Sequence, residues 1–260
     1  MSADDAQSPT LAAGRRRAPA RLVLVRHGRS LGNEADAAAR EAGQGRLDLD
    51  TRDPDTPLSD VGREQAEALG SQLAAMPEQE HPDIVLASPY VRARETAKIA
   101  LRGAGLSDRL VFDERLRERD MGVFDGYTGL GIRQEFPEEA ERRARLGKFY
   151  YRPPGGESWT DVALRVRSFL ADVRAEYDQK VVWVFSHQAV IMSFRFVLEQ
   201  LDETTLLEID ASQPVPNCSL TTYVTGEVGA LALEAYAVTA HLSDEQAPVT
   251  HEAPTSREPQ

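Results

Sequence analysis

Three short apolar runs constrain the fold of this chain more than any other feature of its sequence. They span residues 22–25, 84–87 and 181–185, and each is almost continuously aliphatic or aromatic. Strands that are buried on both faces of a parallel sheet have this composition. A helical pattern follows each run. The order of elements therefore predicts an α/β fold, a three-layer α/β/α sandwich with a mostly parallel central sheet.

Apolar spacing locates further elements around this predicted sheet. A helical stripe follows Leu58, and a second helix opens at Ser158, where Asp161 completes a capping-box pattern. Residues 218–224 and 231–238 are predicted to be strands at a sheet edge. Residues 114–157 interrupt this rhythm with several glycines and a Pro-Pro-Gly-Gly run. We interpret them as a small, partly helical cap inserted near a site.

The ends of the chain differ in composition from the centre. Residues 1–20 and 241–260 are small, polar and Pro-containing, without strand or helix periodicity. We expect both segments to be disordered tails that flank one domain over residues 21–240. The single cysteine, Cys218, excludes an internal disulfide and any multi-cysteine zinc site. With no recognisable export signal, a cytoplasmic location is expected.

The charge balance of the chain limits the kinds of molecule that it is expected to bind. The 260 residues include 30 Lys and Arg against 42 Asp and Glu, a net charge of −12. No positive field would steer such a chain onto nucleic acid. No apolar run approaches the roughly 20 residues of a membrane span. An anionic ligand would therefore need positive charge concentrated in one site.

Histidine, arginine and serine residues, whose side chains can bind anions, follow the three predicted buried strands. The first strand ends in Arg26-His27-Gly28, and Ser186-His187 ends the third. The second ends in Ser88, with Arg92 four residues beyond. Ligands of open parallel sheets bind at the carboxyl ends of the strands. Arginine forks and the N-termini of the following helices both favour phosphate oxygens. The sequence therefore predicts a compact anion pocket.

Six motifs in collinear order resemble the histidine phosphatase superfamily, in its phosphoglycerate-mutase-like branch. The resemblance covers about residues 21–224 and rests on the motifs LVLVRHGRSLGN, DTPLSDVGREQA, SPYVRARETA, LRERDMG, PPGGES and FSHQAV. It implies that His27 attacks phosphorus and forms a phosphohistidine. It further implies that the phosphoryl oxygens are held by Arg26, Arg92, His187 and Asn33. The resemblance implies no metal and no cofactor, because the cations are side chains.

The proton donor implied by the resemblance is Glu118. One carboxyl group at this position can protonate the leaving oxygen and then activate water. Without the motif, Glu118 would be interpreted as a surface carboxylate paired with Arg117 or Arg119. Asp120 is the second choice for the same role.

The motifs favour a phosphomonoester hydrolase that acts on a small phosphorylated metabolite. A phosphoglycerate mutase is the first alternative, but the SLGNEADA stretch lacks the Trp-Asn pair that mutases usually carry after Arg-His-Gly. A non-catalytic phospho-ligand-binding protein is the second. No nucleic acid or membrane partner is expected, and the natural substrate and the oligomeric state stay open. Residues 34–54 are longer and more polar than the usual link, which leaves a specificity loop or disorder as interpretations.

Overall fold

A six-stranded mixed sheet lies at the centre of the molecule. The structure is a computed structural model that describes residues 17–107, 110–243 and 247–251. In chain order the strands are β1 (Arg21–Arg26), β2 (Ile84–Ala87), β3 (Leu110–Phe112), β4 (Val181–Ser186), β5 (Leu220–Thr225) and β6 (Leu231–Val238). Across the sheet they are arranged β3-β2-β4-β1-β5-β6. The three strands predicted to be buried are therefore β1, β2 and β4, side by side in the middle.

Strand direction follows the prediction of a mostly parallel sheet. Strand β4 pairs in parallel with both β1 and β2, and β2 pairs in parallel with β3. Only β5 and β6 run antiparallel, as a hairpin beside β1. Strand β5 begins two residues later than predicted. Cys218 lies in the preceding turn with a positive φ of 58°, a backbone conformation that a strand does not use.

Helices cover both faces of the sheet. They are α1 (Leu31–Glu41), α2 (Asp60–Ala75), α3 (Val91–Gly103), α4 (Gly129–Glu135), α5 (Pro137–Leu146), α6 (Trp159–Glu176), α7 (Gln188–Leu198) and α8 (Glu203–Ser212). Helices α2 and α3 pack on the face that carries Val23 and Trp183. Helices α6, α7 and α8 pack on the opposite face, against Leu22 and Val184. The three-layer α/β/α sandwich is thereby confirmed. Among the described residues no helix is long and apolar enough to cross a membrane.

The inserted region after β3 has a small core of its own. Helices α4 and α5 fold over the buried side chains of Phe124, Tyr127, Ile132 and Tyr151. At its far end Ser158 caps α6, and Asp161 returns a hydrogen bond to the Ser158 backbone, so the predicted capping box is present. The cap region is therefore ordered, and it leads directly into the main helical layer.

Contacts of the domain extend past both of the expected limits at residues 21 and 240. Ala18 is fully buried, its N–H donates to the Asp178 carboxylate at 3.0 Å, and its carbonyl accepts from the Gln179 N–H at 2.9 Å. Near the other end, the Gln65 side-chain amide donates to the Pro248 carbonyl at 2.6 Å. The rest of the two expected tails, residues 1–16 and 252–260, lies outside the described residues.

Helix α2 is placed by a close approach of two glycine backbones. A Cβ on Gly28 would lie 2.5 Å from the Gly62 carbonyl oxygen, and a Cβ on Gly62 would overlap the Arg29 carbonyl oxygen. Ser59 adds a hydrogen bond at the same contact, because its backbone N–H donates to the Arg29 carbonyl oxygen at 2.9 Å. Backbone therefore packs on backbone directly after the first strand, where His27 stands.

Substitution of Gly62 tests whether this close backbone contact contributes to stability. Gly62→Ala should lower the free energy of unfolding by about 1–3 kcal/mol, because neither backbone can move away easily. Gly226→Ala is the matched control, since a Cβ there meets only the Ala230 carbonyl oxygen at an ordinary 3.8 Å. We expect the control to change stability by less than about 0.5 kcal/mol. Urea unfolding measures both, and equal stabilities of the two variants would contradict the argument.

Candidate active site

The carboxyl ends of β1, β2 and β4 bring the predicted residues together. The His27 N–H donates to the Ser186 carbonyl at 3.0 Å, and the Ser88 N–H donates to the Phe185 carbonyl at 2.9 Å. These ladder contacts continue one residue past β1 and β2. They place His27 and Ser88 at the same edge of the sheet as His187, which directly follows β4.

The His27 ring is buried and oriented by its own loop. Its Nδ1 lies 2.7 Å from the Gly28 carbonyl oxygen. A carbonyl oxygen only accepts, so Nδ1 carries a proton, and the lone pair of the neutral ring then lies on Nε2. The loop is fixed in turn, because the Gly28 N–H donates to Thr96 Oγ1 at 3.0 Å and Asn217 Nδ2 donates to the His27 carbonyl at 3.1 Å.

The second histidine, His187, faces the first. The two ring centroids lie 5.1 Å apart, and Tyr90 packs edge-on against His187 at 5.4 Å. His187 Nε2 is 2.8 Å from Ser88 Oγ, which also accepts from the Tyr90 N–H. Within the part of the chain that the structure describes, its buried Nδ1 has no hydrogen-bond partner. Burial, followed by the positive charge of Arg92, holds the pKa of His187 well below its ordinary value.

Two arginines complete the buried part of the pocket. Arg26 is 1% exposed and Arg92 is 4% exposed. An Arg26 terminal nitrogen donates to the Val215 carbonyl. Arg92 donates from one terminal nitrogen to the Asp53 carbonyl at 2.6 Å and from the other to the Asp53 carboxylate at 3.2 Å. Both guanidinium groups are thereby held in fixed positions beside the histidines.

Asn33 lies in the first turn of α1, where its side chain completes a capping box with Ser30. Asn33 Oδ1 accepts from the Ser30 N–H at 3.0 Å and from Asn217 Nδ2 at 3.4 Å. Because Asn217 also binds the His27 carbonyl, one amide joins Asn33 to the nucleophile loop. The geometry thus gives Asn33 a helix-capping contact and a position next to His27.

Glu118 is half-buried on the segment between β3 and the cap. Its Oε1 accepts from the Arg119 N–H at 2.8 Å, and its backbone carbonyl accepts from Arg165 at 3.3 Å. Arg165 is also one of the charges that lower the pKa of His187. The Arg165 guanidinium therefore connects the Glu118 segment to the pocket. Asp120, the second choice, uses Oδ1 to accept from the Gly122 N–H at 2.8 Å and is exposed.

Glu157 anchors this segment. It accepts from Arg117 at 2.7 Å, from Arg165 at 3.0 Å and from the Asp120 N–H at 3.1 Å. Its carboxylate therefore ties the residues on both sides of Glu118 to the start of α6.

The comparisons with known proteins agree with this geometry. The family model for the histidine phosphatase superfamily, branch 1, matches residues 22–237. The chain belongs to the histidine phosphatase superfamily. The members of this superfamily include phosphatases and mutases, so the resemblance seen in the sequence motifs is confirmed at the level of the family.

Related sequences carry names from the mutase side of the superfamily. The chain is 33% identical over 199 residues to the 2,3-bisphosphoglycerate-dependent phosphoglycerate mutase of Rhizobium meliloti, covering 75% of this chain and 87% of that protein. It is 33% identical over 172 residues to the phosphoglycerate mutase-like protein AT74H of Arabidopsis thaliana, covering 62% of this chain. It spans about half the length of AT74H and of several mycobacterial relatives that it matches.

Solved structures of similar fold include a protein that is named as a phosphatase. A mycobacterial glucosyl-3-phosphoglycerate phosphatase in complex with inorganic phosphate superposes with a TM-score of 0.65 and 26% identity, over 86% of this chain and 99% of that one. The YhfR protein of Bacillus stearothermophilus superposes with a TM-score of 0.63 and 26% identity, over 85% and 98% of the two chains.

Four residues of the site carry contacts that sequence reasoning did not assign to them. Tyr90, Arg165 and Asn217 support His187, the Glu118 segment and the His27 loop respectively. Asp53 also binds Arg92, and it lies in residues 34–54, which the sequence analysis interpreted as a specificity loop or as disorder. Ser88, which follows the second predicted strand, lies against His187. Only the position of Tyr90, two residues before Arg92 and directly before α3, signals its place.

The lowered pKa of His187 makes stability depend on pH. The unfolded chain binds a proton at this histidine near pH ~6.5, whereas the folded chain does so only at much lower pH. Stability is therefore lost as pH falls, by about 1 kcal/mol from His187 between pH ~7 and ~5.5.

Urea unfolding at the two pH values measures this loss. His187→Gln should remove about 1 kcal/mol of it, because glutamine does not titrate. His251→Gln, at an exposed position, is the control and should lose as much as the wild type. A His187→Gln variant with the full wild-type loss would show that His187 protonates normally in the fold.

Proposed function

We propose that this protein is a metal-independent phosphomonoester hydrolase that works through a phosphohistidine on His27. The observation that carries the proposal is the hydrogen bond between His27 Nδ1 and the Gly28 carbonyl, inside a pocket of buried arginines. In the neutral imidazole this contact places the lone pair on Nε2. A histidine nucleophile requires that tautomer.

In the first step, Nε2 of His27 attacks phosphorus. The new P–N bond forms as the bond between phosphorus and the ester oxygen breaks, and Glu118 gives its proton to the departing oxygen. Arg26, Arg92 and the buried Nδ1–H of His187 donate to the three equatorial oxygens, where charge accumulates. Asn33 lies beside His27 and contributes a further polar contact to the phosphoryl group.

In the second step, water replaces the histidine. The Glu118 carboxylate takes a proton from water while the water oxygen attacks phosphorus, and the P–N bond breaks with its electron pair returning to Nε2. Phosphate leaves, and His27 and the protonated Glu118 are restored. The donation from Arg165 to the Glu118 backbone carbonyl supports this role, because it fixes the segment that carries the carboxyl group.

The substrate class that we propose is a small phosphorylated metabolite. The names of the relatives include phosphoglycerate and glucosyl-3-phosphoglycerate, both small phosphorylated compounds. The net charge of −12 argues against a polyanionic partner such as nucleic acid. We also propose a cytoplasmic location.

A phosphoglycerate mutase is the second candidate, and the 33% identity to the Rhizobium meliloti mutase favours it. A mutase returns the phosphoryl group of the same phosphohistidine to its substrate. We favour the hydrolase because the stretch after Arg-His-Gly lacks the Trp-Asn pair. Release of phosphate from nitrophenyl phosphate supports a hydrolase. Isomerisation of phosphoglycerate without net release of phosphate supports a mutase instead.

The nucleophile is tested by removing it. His27→Ala should lower the turnover number about 10⁴-fold or more with little change in the fold, because a covalent step has no substitute. His251→Ala, at an exposed histidine, is the control and should keep the wild-type rate. Base-quenched enzyme analysed by mass spectrometry should carry the phosphoryl group on His27. A phosphoenzyme on any other residue would refute the mechanism.

The proton donor is tested by varying the leaving group. Glu118→Gln should slow phosphoryl transfer from an alkyl phosphate by roughly 10²–10⁴-fold, because an alkoxide leaves poorly without a proton. Nitrophenolate leaves readily, so the same variant should be much less impaired on nitrophenyl phosphate. Single-turnover rates isolate the first step from the later activation of water. Equal losses on the two substrates would remove Glu118 from the role of acid, and Asp120→Asn would then be measured in the same way.

A further inference from the structure

The guanidinium of Arg92 is held by a carboxylate from the polar segment between the first two motifs. One terminal nitrogen lies 3.2 Å from Asp53 Oδ1 and 2.6 Å from the Asp53 carbonyl oxygen, and the other lies 3.2 Å from Oδ2. The two terminal nitrogens of Arg92 therefore face both carboxylate oxygens of Asp53. This is the bidentate geometry in which arginine also binds phosphate.

The segment that carries Asp53 is braced independently of Arg92. Residues 53–55 form a 3₁₀ turn with Pro54 in its first positions. Arg52 and Asp55 pair across this turn with a contact of 2.6 Å, and Thr56 Oγ1 donates to the Arg52 carbonyl at 3.0 Å. Disorder is therefore the wrong interpretation for this part of the polar link. The turn presents one carboxylate to the pocket and leaves the Asp55 carboxylate at the surface.

The Asp53 carboxylate and a bound phosphoryl group require the same donors. Both are anions, so they repel each other when they approach one guanidinium. The Asp53 side chain is 19% exposed, against 5% for Arg92. The Asp53 carboxylate therefore has access to water when it separates from the guanidinium, whereas Arg92 stays in the pocket.

We propose that Asp53 competes with the phosphoryl group for Arg92 and thereby sets the affinity of the site for phosphate. The inference rests on the proposed function of Arg92 as a phosphate ligand. Asp53 is a positioning residue, because it acts through Arg92 and does not touch the reacting atoms. While no phosphate is bound, its carboxylate satisfies a buried guanidinium that would otherwise lose hydration without compensation.

The competition has a predictable size and direction. If the Asp53 carboxylate is bound to the Arg92 guanidinium in about nine of ten molecules, phosphate binds about tenfold more weakly than it would to an unoccupied guanidinium. The effect applies equally to a substrate phosphate and to the product, since both use Arg92. Asp53 would therefore raise both KM and the inhibition constant of inorganic phosphate, and it would favour the release of product.

Calorimetric titration with inorganic phosphate tests this proposal. Asp53→Asn keeps the shape of the side chain and the backbone carbonyl but removes the charge, so it should lower the Kd of phosphate about tenfold. Asp55→Asn is the matched control. It removes the same charge two residues away, where the carboxylate binds Arg52 at the surface. The control should leave the Kd within about twofold of wild type, since exposed charges are screened. Asp53→Ala should act like Asp53→Asn, and it serves as the second variant if Asp53→Asn does not fold.

The outcomes test two claims, that Arg92 binds phosphate and that Asp53 competes with phosphate for Arg92. Tighter phosphate binding in Asp53→Asn alone supports competition, because a structural lesion would weaken binding. Unchanged or weaker binding in Asp53→Asn overturns it, and so does equal tightening in Asp55→Asn, which would indicate a general charge effect. Arg92→Ala should weaken phosphate binding in wild type and should abolish the effect of Asp53→Asn. If Arg92→Ala leaves the Kd unchanged, Arg92 is not a phosphate ligand, and both the proposed role of Arg92 and the competition fail.

Discussion

The hydrogen bond from His27 Nδ1 to the Gly28 carbonyl is the contact on which the proposed chemistry depends. It decides which ring nitrogen carries the lone pair, and it does so with backbone, which no change of protonation elsewhere removes. The contact exists because the chain turns sharply after β1 and packs against helix α2, where Gly28 and Gly62 approach without side chains. A side chain at either position would displace the loop and, with it, the carbonyl that orients the nucleophile.

Burial of positive charge is the second constraint on the site. Arg26 and Arg92 are almost fully buried, in a protein whose overall charge is negative. Arg26 donates to the Val215 carbonyl, whereas Arg92 donates to both the carbonyl and the carboxylate of Asp53. A carbonyl remains in place when an anion binds, whereas a carboxylate repels it. The Asp53 carboxylate is therefore the contact of Arg92 that a bound anion would displace. His187 adds an imidazole whose pKa is lowered by its burial and then by the charge of Arg92.

The sequence predicted the parts of this structure that local patterns encode. The three apolar runs predicted the central strands, and the residues directly after them predicted which side chains would meet. Helix α1 was missed because its apolar face consists of alanines after Leu31, which mark a buried stripe weakly among polar residues; the capping box of Ser30 and Asn33 was the available signal. The contact between Asp53 and Arg92 was missed because it joins residues 39 positions apart across the pocket, where no periodicity applies. The catalytic roles of His27 and Glu118 stay predictions, since geometry alone does not show a reaction.

A crystal structure with orthovanadate tests the central claim most directly. Vanadate adopts the trigonal arrangement of a phosphoryl group in transfer, so it reports which atom attacks and which groups hold the equatorial oxygens. The account predicts vanadium bonded to Nε2 of His27, with Arg26, Arg92 and His187 on its oxygens and the Nδ1 contact to Gly28 unchanged. Vanadate bound elsewhere, or bonded to a group other than His27 Nε2, would contradict it.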